Sequence, residues 1–186
     1  MWVFAYGSLM WRPGFAPAAR EPARLYGWHR SLCVSSHLYR GTVERPGLVF
    51  GLDRGGRCTG MALLVPARDV RTVLAALDAR ELITGVYERR LQPVWLLARR
   101  RWVFAWCYVV RRDHPQYAGG LSFAERVRRV AEAQGRAGRC LDYLHHTLMR
   151  LRELGIREPE LEALWAAART GAEARGDGIQ EMFIKS

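Results

Sequence analysis

Trp2-Val3-Phe4-Ala5-Tyr6-Gly7-Ser8-Leu9-Met10-Trp11 begins as a run of aromatic and β-branched residues and breaks abruptly at a Gly-Ser pair. A short apolar run bounded by a turn signal reads as a buried strand. Gly7 lets the backbone turn sharply at its end, which leaves the amides of Gly7 and Ser8 pointing outward. Successive exposed N–H groups form a concavity that holds a carboxylate without a cationic side chain, and a bulkier residue at position 7 would crowd the approach. An ordinary tight turn closing a first strand accounts for the same residues, so the stretch alone leaves both readings open.

Working outward, Pro13 to Pro22 reads as a loop and Ala23 to Ser36 as a long strand with apolar residues at alternating positions. Leu48 to Leu52 and Cys58 to Val65 read as a strand pair around Asp53-Arg54-Gly55-Gly56, where the glycines fit a hairpin. The period then changes: Val70, Val73, Leu74 and Leu77 recur at helical spacing within Asp69 to Arg80. Strands resume over Val86 to Leu97 and Trp102 to Val110, joined by an Arg99-Arg100-Arg101 turn. The last third is helical. Ser122 with Glu125 makes a capping box, Leu141, Leu144, Leu148 and Leu151 lead to a Gly155 stop, and Pro159 opens a helix containing Leu161, Leu164 and Trp165. From about residue 171 the chain is polar and glycine-containing and is expected to be loose. Strands first, one helix inserted among them and helices last describe an α+β domain on an antiparallel sheet or small barrel. A length of 186 residues fits one domain, 1–186.

No apolar run approaches the roughly 20 residues that span a bilayer, and the N-terminus lacks a basic segment followed by a cleavable apolar one. The expected compartment is the cytoplasm, with no membrane partner. Cys33, Cys58, Cys107 and Cys140 stand far apart without C-x-x-C spacing, and read as reduced, buried thiols. Cys33 and His37 would lie roughly 13 Å apart along an extended strand, too far to share a proton. The formal charge is +11, and 28 of the 29 basic residues are arginine, Lys185 being the one lysine. Apart from four short clusters they are spread along the chain, as in a compositional bias rather than a nucleic-acid patch. Positive charge also serves to draw in a small anionic substrate, and composition does not choose between the two uses.

One more turn of the stripe Val70, Val73, Leu74, Leu77 brings Glu81 onto the apolar side of its helix. A buried carboxylate acquires a raised pKa and is poised to exchange protons near neutral pH. A helix-end glutamate paired with Arg80 or Arg89 fits the same spacing. Gly85 closes the helix just beyond, so that Glu81 faces the edge of a cavity. Tyr87, Tyr117 and Tyr143 are polar aromatics that either offer hydroxyls to a pocket or simply pack. His145-His146 lacks acidic or cysteine partners at ligand spacing and reads as helix surface, so no metal site is expected.

Taken in order, Tyr6 to Phe15, Tyr39-Arg40-Gly41, Pro46-Gly47, Ala79-Arg80-Glu81 to Gly85-Val86-Tyr87, Pro115-Gln116-Tyr117, Gly138-Arg139 and Asp142-Tyr143-Leu144 resemble the ChaC family of gamma-glutamylcyclotransferases over nearly the whole chain. The family's more typical Gly-Gly-Tyr after the glutamate is here Gly85-Val86-Tyr87. The resemblance implies a small closed, antiparallel or mixed β-barrel with flanking helices. It also implies a lyase that cleaves glutathione to 5-oxoproline and cysteinylglycine without a cofactor. Glu81 is then the catalytic acid–base. Tyr6, Gly7, Ser8 and Leu9 bind the γ-glutamyl carboxylate, Tyr87 lines the pocket, and Arg40 and Tyr143 are candidates for the glycyl carboxylate. The rivals are a cyclotransferase of other γ-glutamyl amino acids or amines, and a basic RNA-binding barrel in which Glu81 has no task.

Overall fold

The first apolar run forms strand β1 (Trp2–Ala5), in which Val3, Phe4 and Ala5 are all fully buried. It ends in a one-turn 3-10 helix over Ser8–Met10. Strands β2 (Ala19–Ser36) and β3 (Gly47–Leu64), helix α1 (Val70–Glu81), and strands β4 (Tyr87–Leu96) and β5 (Arg101–Val110) follow. Helix α2 (Phe123–Glu132), the short strands β6 (Gln134–Gly135) and β7 (Gly138–Arg139), and helices α3 (Cys140–Glu153) and α4 (Pro159–Glu173) complete the chain. These elements come from a computed structural model that describes residues 1–174 and Gly176.

Five strands close into a barrel in the order β1-β3-β2-β4-β5. Strand β1 is antiparallel to β3 and parallel to β5, so the barrel is mixed. Gly60 shows why β1 and β3 approach so closely: a Cβ there would stand 2.3 Å from the Ala5 carbonyl oxygen. Phe4, Leu25, Leu63, Leu96 and Tyr108 are among the largest side chains sealed from solvent.

The chain divides into two compact units. One comprises Met1–Val34 with Phe50–Gly119 and holds most of the barrel and α1. The other comprises Ser35–Val49 and the chain from Gly120 on, where α2, α3 and α4 pack on one another. Its core is Leu141, Leu144, Leu151 and Leu164, the apolar positions of the helical periods. Ser122 caps α2, its hydroxyl accepting from the Glu125 amide at 3.2 Å. No described helix is long and apolar enough to cross a membrane.

Two sequence expectations need correction. The pair Gly55 and Gly56, at φ +101° and +66°, does not reverse the chain; β3 runs straight through it as one 18-residue strand. Positive-φ glycines serve a bulge as well as a turn, and β2, also 18 residues long, supplies a neighbour on both sides of the bend. His29 of β2 places Nδ1 3.1 Å from the Gly55 carbonyl oxygen. Strand β2 also starts at Ala19, four residues earlier than the alternation suggests. Helix α4 ends at Glu173, and the tail expected to be loose from about 171 lies mostly outside the described residues, which omit residue 175 and residues 177–186.

Candidate active site

Helix α1 turns Val73 and Leu77 into the core, and Glu81 is its final residue, on the continuation of that stripe. The Glu81 side chain keeps 19% of its exposure and forms an ion pair with Arg80, whose Nε lies 3.2 Å from Oε1. Burial pushes the Glu81 carboxyl above its usual range, and the neighbouring Arg80 charge only partly offsets this. Both sequence readings of Glu81 therefore hold together: it is the helix-end partner of Arg80 and a desolvated carboxylate. The remaining guanidinium nitrogens of Arg80 reach the first turn, Nη2 donating to Ser8 Oγ at 2.6 Å and Nη1 to the Arg12 carbonyl at 3.1 Å. One helical turn back, Asp78 accepts from Tyr108 Oη at 2.8 Å and pairs with Arg89.

In the first turn, the earliest i→i+3 bond runs from the Met10 amide to the Gly7 carbonyl at 2.9 Å, followed by Trp11 to Ser8 at 3.2 Å. The amides of Ser8 and Leu9 precede it and are not used by the turn, as at any helix start. Gly7 makes the corner at φ −130°, outside the left-handed region, and a Cβ there would meet only Phe50 Cβ, at 3.9 Å. A side chain at position 7 would therefore start in open space beside the turn. Tyr6 is buried, and its carbonyl accepts from Arg30 Nε at 2.6 Å, fixing the strand end that carries the turn. Tyr87 is half-buried and donates its hydroxyl to the Phe50 carbonyl at 2.6 Å, so this proton is engaged within the fold.

Tyr6, Gly7, Ser8, Leu9, Glu81 and Tyr87 belong to one compact unit, and Arg40 and Tyr143 to the other. The Arg40 guanidinium lies 4.9 Å from the Tyr143 ring centroid and donates to the Ala137 carbonyl. All four cysteines are free and buried. Burial pushes the Cys33 thiol up to about 12, which disfavours the thiolate that a nucleophilic cysteine needs. His145 stacks on Trp165 with centroids 4.9 Å apart, and among the described residues no group of three or more His, Cys, Asp and Glu is placed to hold a metal.

Sequence reasoning missed the buried carboxylate of Asp53. Asp53, read as part of a hairpin turn, accepts from Arg112 Nε at 2.6 Å, Tyr117 Oη at 2.7 Å and the Arg54 amide at 2.8 Å. The pairing signal was absent because these partners come from distant segments. Arg80 was present in the sequence reading only as a neutralising partner; its reach to Ser8 and Arg12 was not visible.

A family model described as ChaC-like protein matches residues 1–170 of the chain. The chain belongs to the ChaC family. Among ChaC-family relatives, the glutathione-specific gamma-glutamylcyclotransferase of Escherichia coli (strain K12) is 33% identical over 183 residues, covering 96% of this chain and 78% of that protein. The glutathione-specific gamma-glutamylcyclotransferase 1 of Danio rerio is 29% identical over 172 residues, covering 90% and 88%. The crystal structure of a gamma-glutamyl cyclotransferase specific to glutathione from yeast superposes with a TM-score of 0.82 at 19% identity, over 98% of this chain and 99% of that one. That likeness confirms the closed barrel with its helices as the fold.

Proposed function

We propose that this ChaC-family chain is a glutathione-specific gamma-glutamylcyclotransferase, a lyase that releases 5-oxoproline and cysteinylglycine. The observation that carries the site assignment is Glu81: a desolvated carboxylate at the end of α1, joined through Arg80 to the turn at Ser8. The reaction is intramolecular. The substrate's α-nitrogen forms a bond to its own γ-carbonyl carbon, and the bond from that carbon to the cysteinyl nitrogen breaks. Holding the arm folded supplies much of the acceleration. The ammonium must lose a proton before it attacks, and the departing nitrogen must gain one. Glu81 takes the first and returns it to the second, a double role suited to a carboxyl whose pKa has been moved towards neutrality. The Ser8 and Leu9 amides, with Tyr6 and Gly7, receive the α-carboxylate. Arg40 and Tyr143 remain the candidates for the glycyl carboxylate, and Tyr87 lines the pocket by its ring.

The family relatives named as glutathione-specific support this substrate over other γ-glutamyl compounds. In this reading the compartment is the cytoplasm, whose reducing conditions suit four buried thiols outside any disulfide. Nucleic acid is not the partner. An open cleft of about 920 Å³ is lined by Arg54, Arg89, Arg90, Arg111 and Arg112. Four of these carry acidic partners, Asp78, Glu88, Asp113 and Asp53 respectively from Arg89 onward. Charge already neutralised in pairs is a weak attractor for phosphate.

Incubating the purified protein with glutathione should yield equal amounts of 5-oxoproline and cysteinylglycine, and γ-glutamyl amino acids should react far more slowly. No 5-oxoproline from any γ-glutamyl compound would overturn the proposal; faster release from a γ-glutamyl amino acid would move the substrate class. Gly7→Val tests the anion site. The built Cβ has room at position 7, so the variant should fold and yet bind glutathione at least about tenfold more weakly, as expected when an obstructed amide pair loses a charge-assisted hydrogen bond. Unchanged affinity by calorimetry would remove the turn from the binding site.

A further inference from the structure

The three kinds of guanidinium nitrogen in Arg80 make three separate contacts. Nε faces the Glu81 carboxylate at 3.2 Å, Nη2 donates to the Ser8 hydroxyl at 2.6 Å, and Nη1 donates to the Arg12 carbonyl at 3.1 Å. Ser8 opens the 3-10 turn, and Arg12 follows its last hydrogen bond, donating its own amide to the Ser8 carbonyl at 2.8 Å. A single planar group thus spans both ends of the turn and the last side chain of α1.

Glu81 needs such a restraint. It is the final residue of its helix, where the backbone frays, and its side chain carries rotamer freedom that costs free energy to fix. The other ionisable groups around it are engaged elsewhere: Asp78 on the same helix is held by Arg89 of β4 and Tyr108 of β5. On the side of the first turn, the Arg12 side chain is exposed, and the group that faces α1 is the Ser8 hydroxyl. Arg80 is the charge that acts on Glu81.

We propose that Arg80 is a positioning residue that sets the Glu81 carboxylate at a fixed distance from the Ser8 turn, so that the proton-transfer group and the carboxylate-binding amides address the same γ-glutamyl arm. This rests on the assignment of Glu81 as the acid–base above. The fork is what matters. Lysine keeps the charge but offers one nitrogen on a flexible stem, so it satisfies one of the three contacts at a time. Misplacement on the scale of an ångström costs intramolecular reactions on the order of a hundredfold.

The experiment compares Arg80→Lys, Arg80→Gln and Ser8→Ala with Glu81→Gln, following 5-oxoproline release across pH with thermal melts of each variant. Arg80→Lys should lose about ten- to a hundredfold in kcat, with a smaller change in KM and an unmoved acidic limb. Arg80→Gln should lose at least as much and also move the acidic limb of kcat/KM to higher pH, because removing the positive charge leaves the burial of Glu81 unopposed. Ser8→Ala keeps the backbone amides and the Arg80–Glu81 pair, and should lose less than Arg80→Lys with the limb in place. A purely structural role would lower the melting temperature without moving the limb. Wild-type kcat in Arg80→Lys, or an unmoved limb in Arg80→Gln, overturns the positioning role. If Glu81→Gln also retains full activity, the acid–base assignment itself fails; if Glu81→Gln is inactive, only the role of Arg80 does.

Discussion

Glu81, half-buried, and Asp53, buried, are carboxylates of the same compact unit, and the fold treats them in opposite ways. Each has an arginine partner at close range, Arg80 at 3.2 Å and Arg112 at 2.6 Å. Burial raises both. For Asp53, hydrogen bonds from Arg112, Tyr117 and the Arg54 amide outweigh it, and the carboxyl is held below its ordinary range. For Glu81, one arginine that is shared with Ser8 and Arg12 does not, and the carboxyl ends above its range. The number of donors aimed at the carboxylate decides the sign, more than the presence of an opposite charge. The Asp53 carboxylate is thus stabilised where it ties β3 to the segment after β5, whereas burial disfavours the charged form of Glu81.

The contrast predicts opposite results for neutral isosteres. Glu81→Gln should lower kcat by on the order of a hundredfold or more, the usual cost of removing a general acid–base. Its melting temperature at neutral pH should be unchanged or higher. The sign follows from linkage: a carboxyl with a raised folded pKa makes the ionised native state relatively unfavourable, and that penalty disappears when the charge is removed. In the wild type the acidic limb of kcat/KM should, on the same reading, lie above the ordinary carboxylate range, since burial raises the Glu81 carboxyl. A melting temperature that falls with activity in Glu81→Gln would show that the glutamate is structural.

Asp53→Asn should do the reverse. It leaves Arg112 and Tyr117 without their acceptor charge, and the expected loss is about 1–3 kcal/mol of stability, reduced from the cost of a fully buried pair because Arg112 is half-exposed. Turnover per folded molecule should change little. Denaturant midpoints measured alongside kcat test this directly, and a kcat loss as large as that of Glu81→Gln would place Asp53 in the chemistry.

The sequence exposed these two carboxylates unequally, for a physical reason. Glu81 is legible because helical periodicity is local: Val73 and Leu77 mark the buried face, and the next turn lands on position 81. The capping of α2 by Ser122 and the start of α4 at Pro159 are legible for the same reason. Asp53 is not, since its partners Arg112 and Tyr117 stand 59 and 64 positions away and are delivered by barrel closure. The misreading of Gly55-Gly56 has the same origin. Two positive-φ glycines describe a hairpin or a bulge equally well until the neighbouring strand is known, and only β2 running beside both halves of β3 decides. The reach of Arg80 to Ser8 spans 72 positions and was equally hidden, although both residues lie in segments that the sequence marks.

The smallest effect sharpens the comparison most. Tyr117→Phe removes one of the three donors to Asp53 and keeps the charge, the Arg112 contact and the ring. The expected cost is about 1 kcal/mol at neutral pH, that of a single hydrogen bond. The pH dependence is the more telling readout. A carboxyl whose folded pKa is depressed adds stability above its unfolded value, near 3.9, and loses that stability as pH falls through the folded value. With one donor fewer, the folded pKa of Asp53 rises towards the unfolded one, so the variant should have less stability to lose on acidification. Denaturant midpoints for wild type and Tyr117→Phe should therefore converge as the pH is lowered, while the acidic limb of kcat/KM stays where Glu81 sets it. Midpoints that keep a constant gap down to the acid transition would mean that Tyr117 stabilises by packing alone, and that two donors already suffice to hold Asp53 ionised.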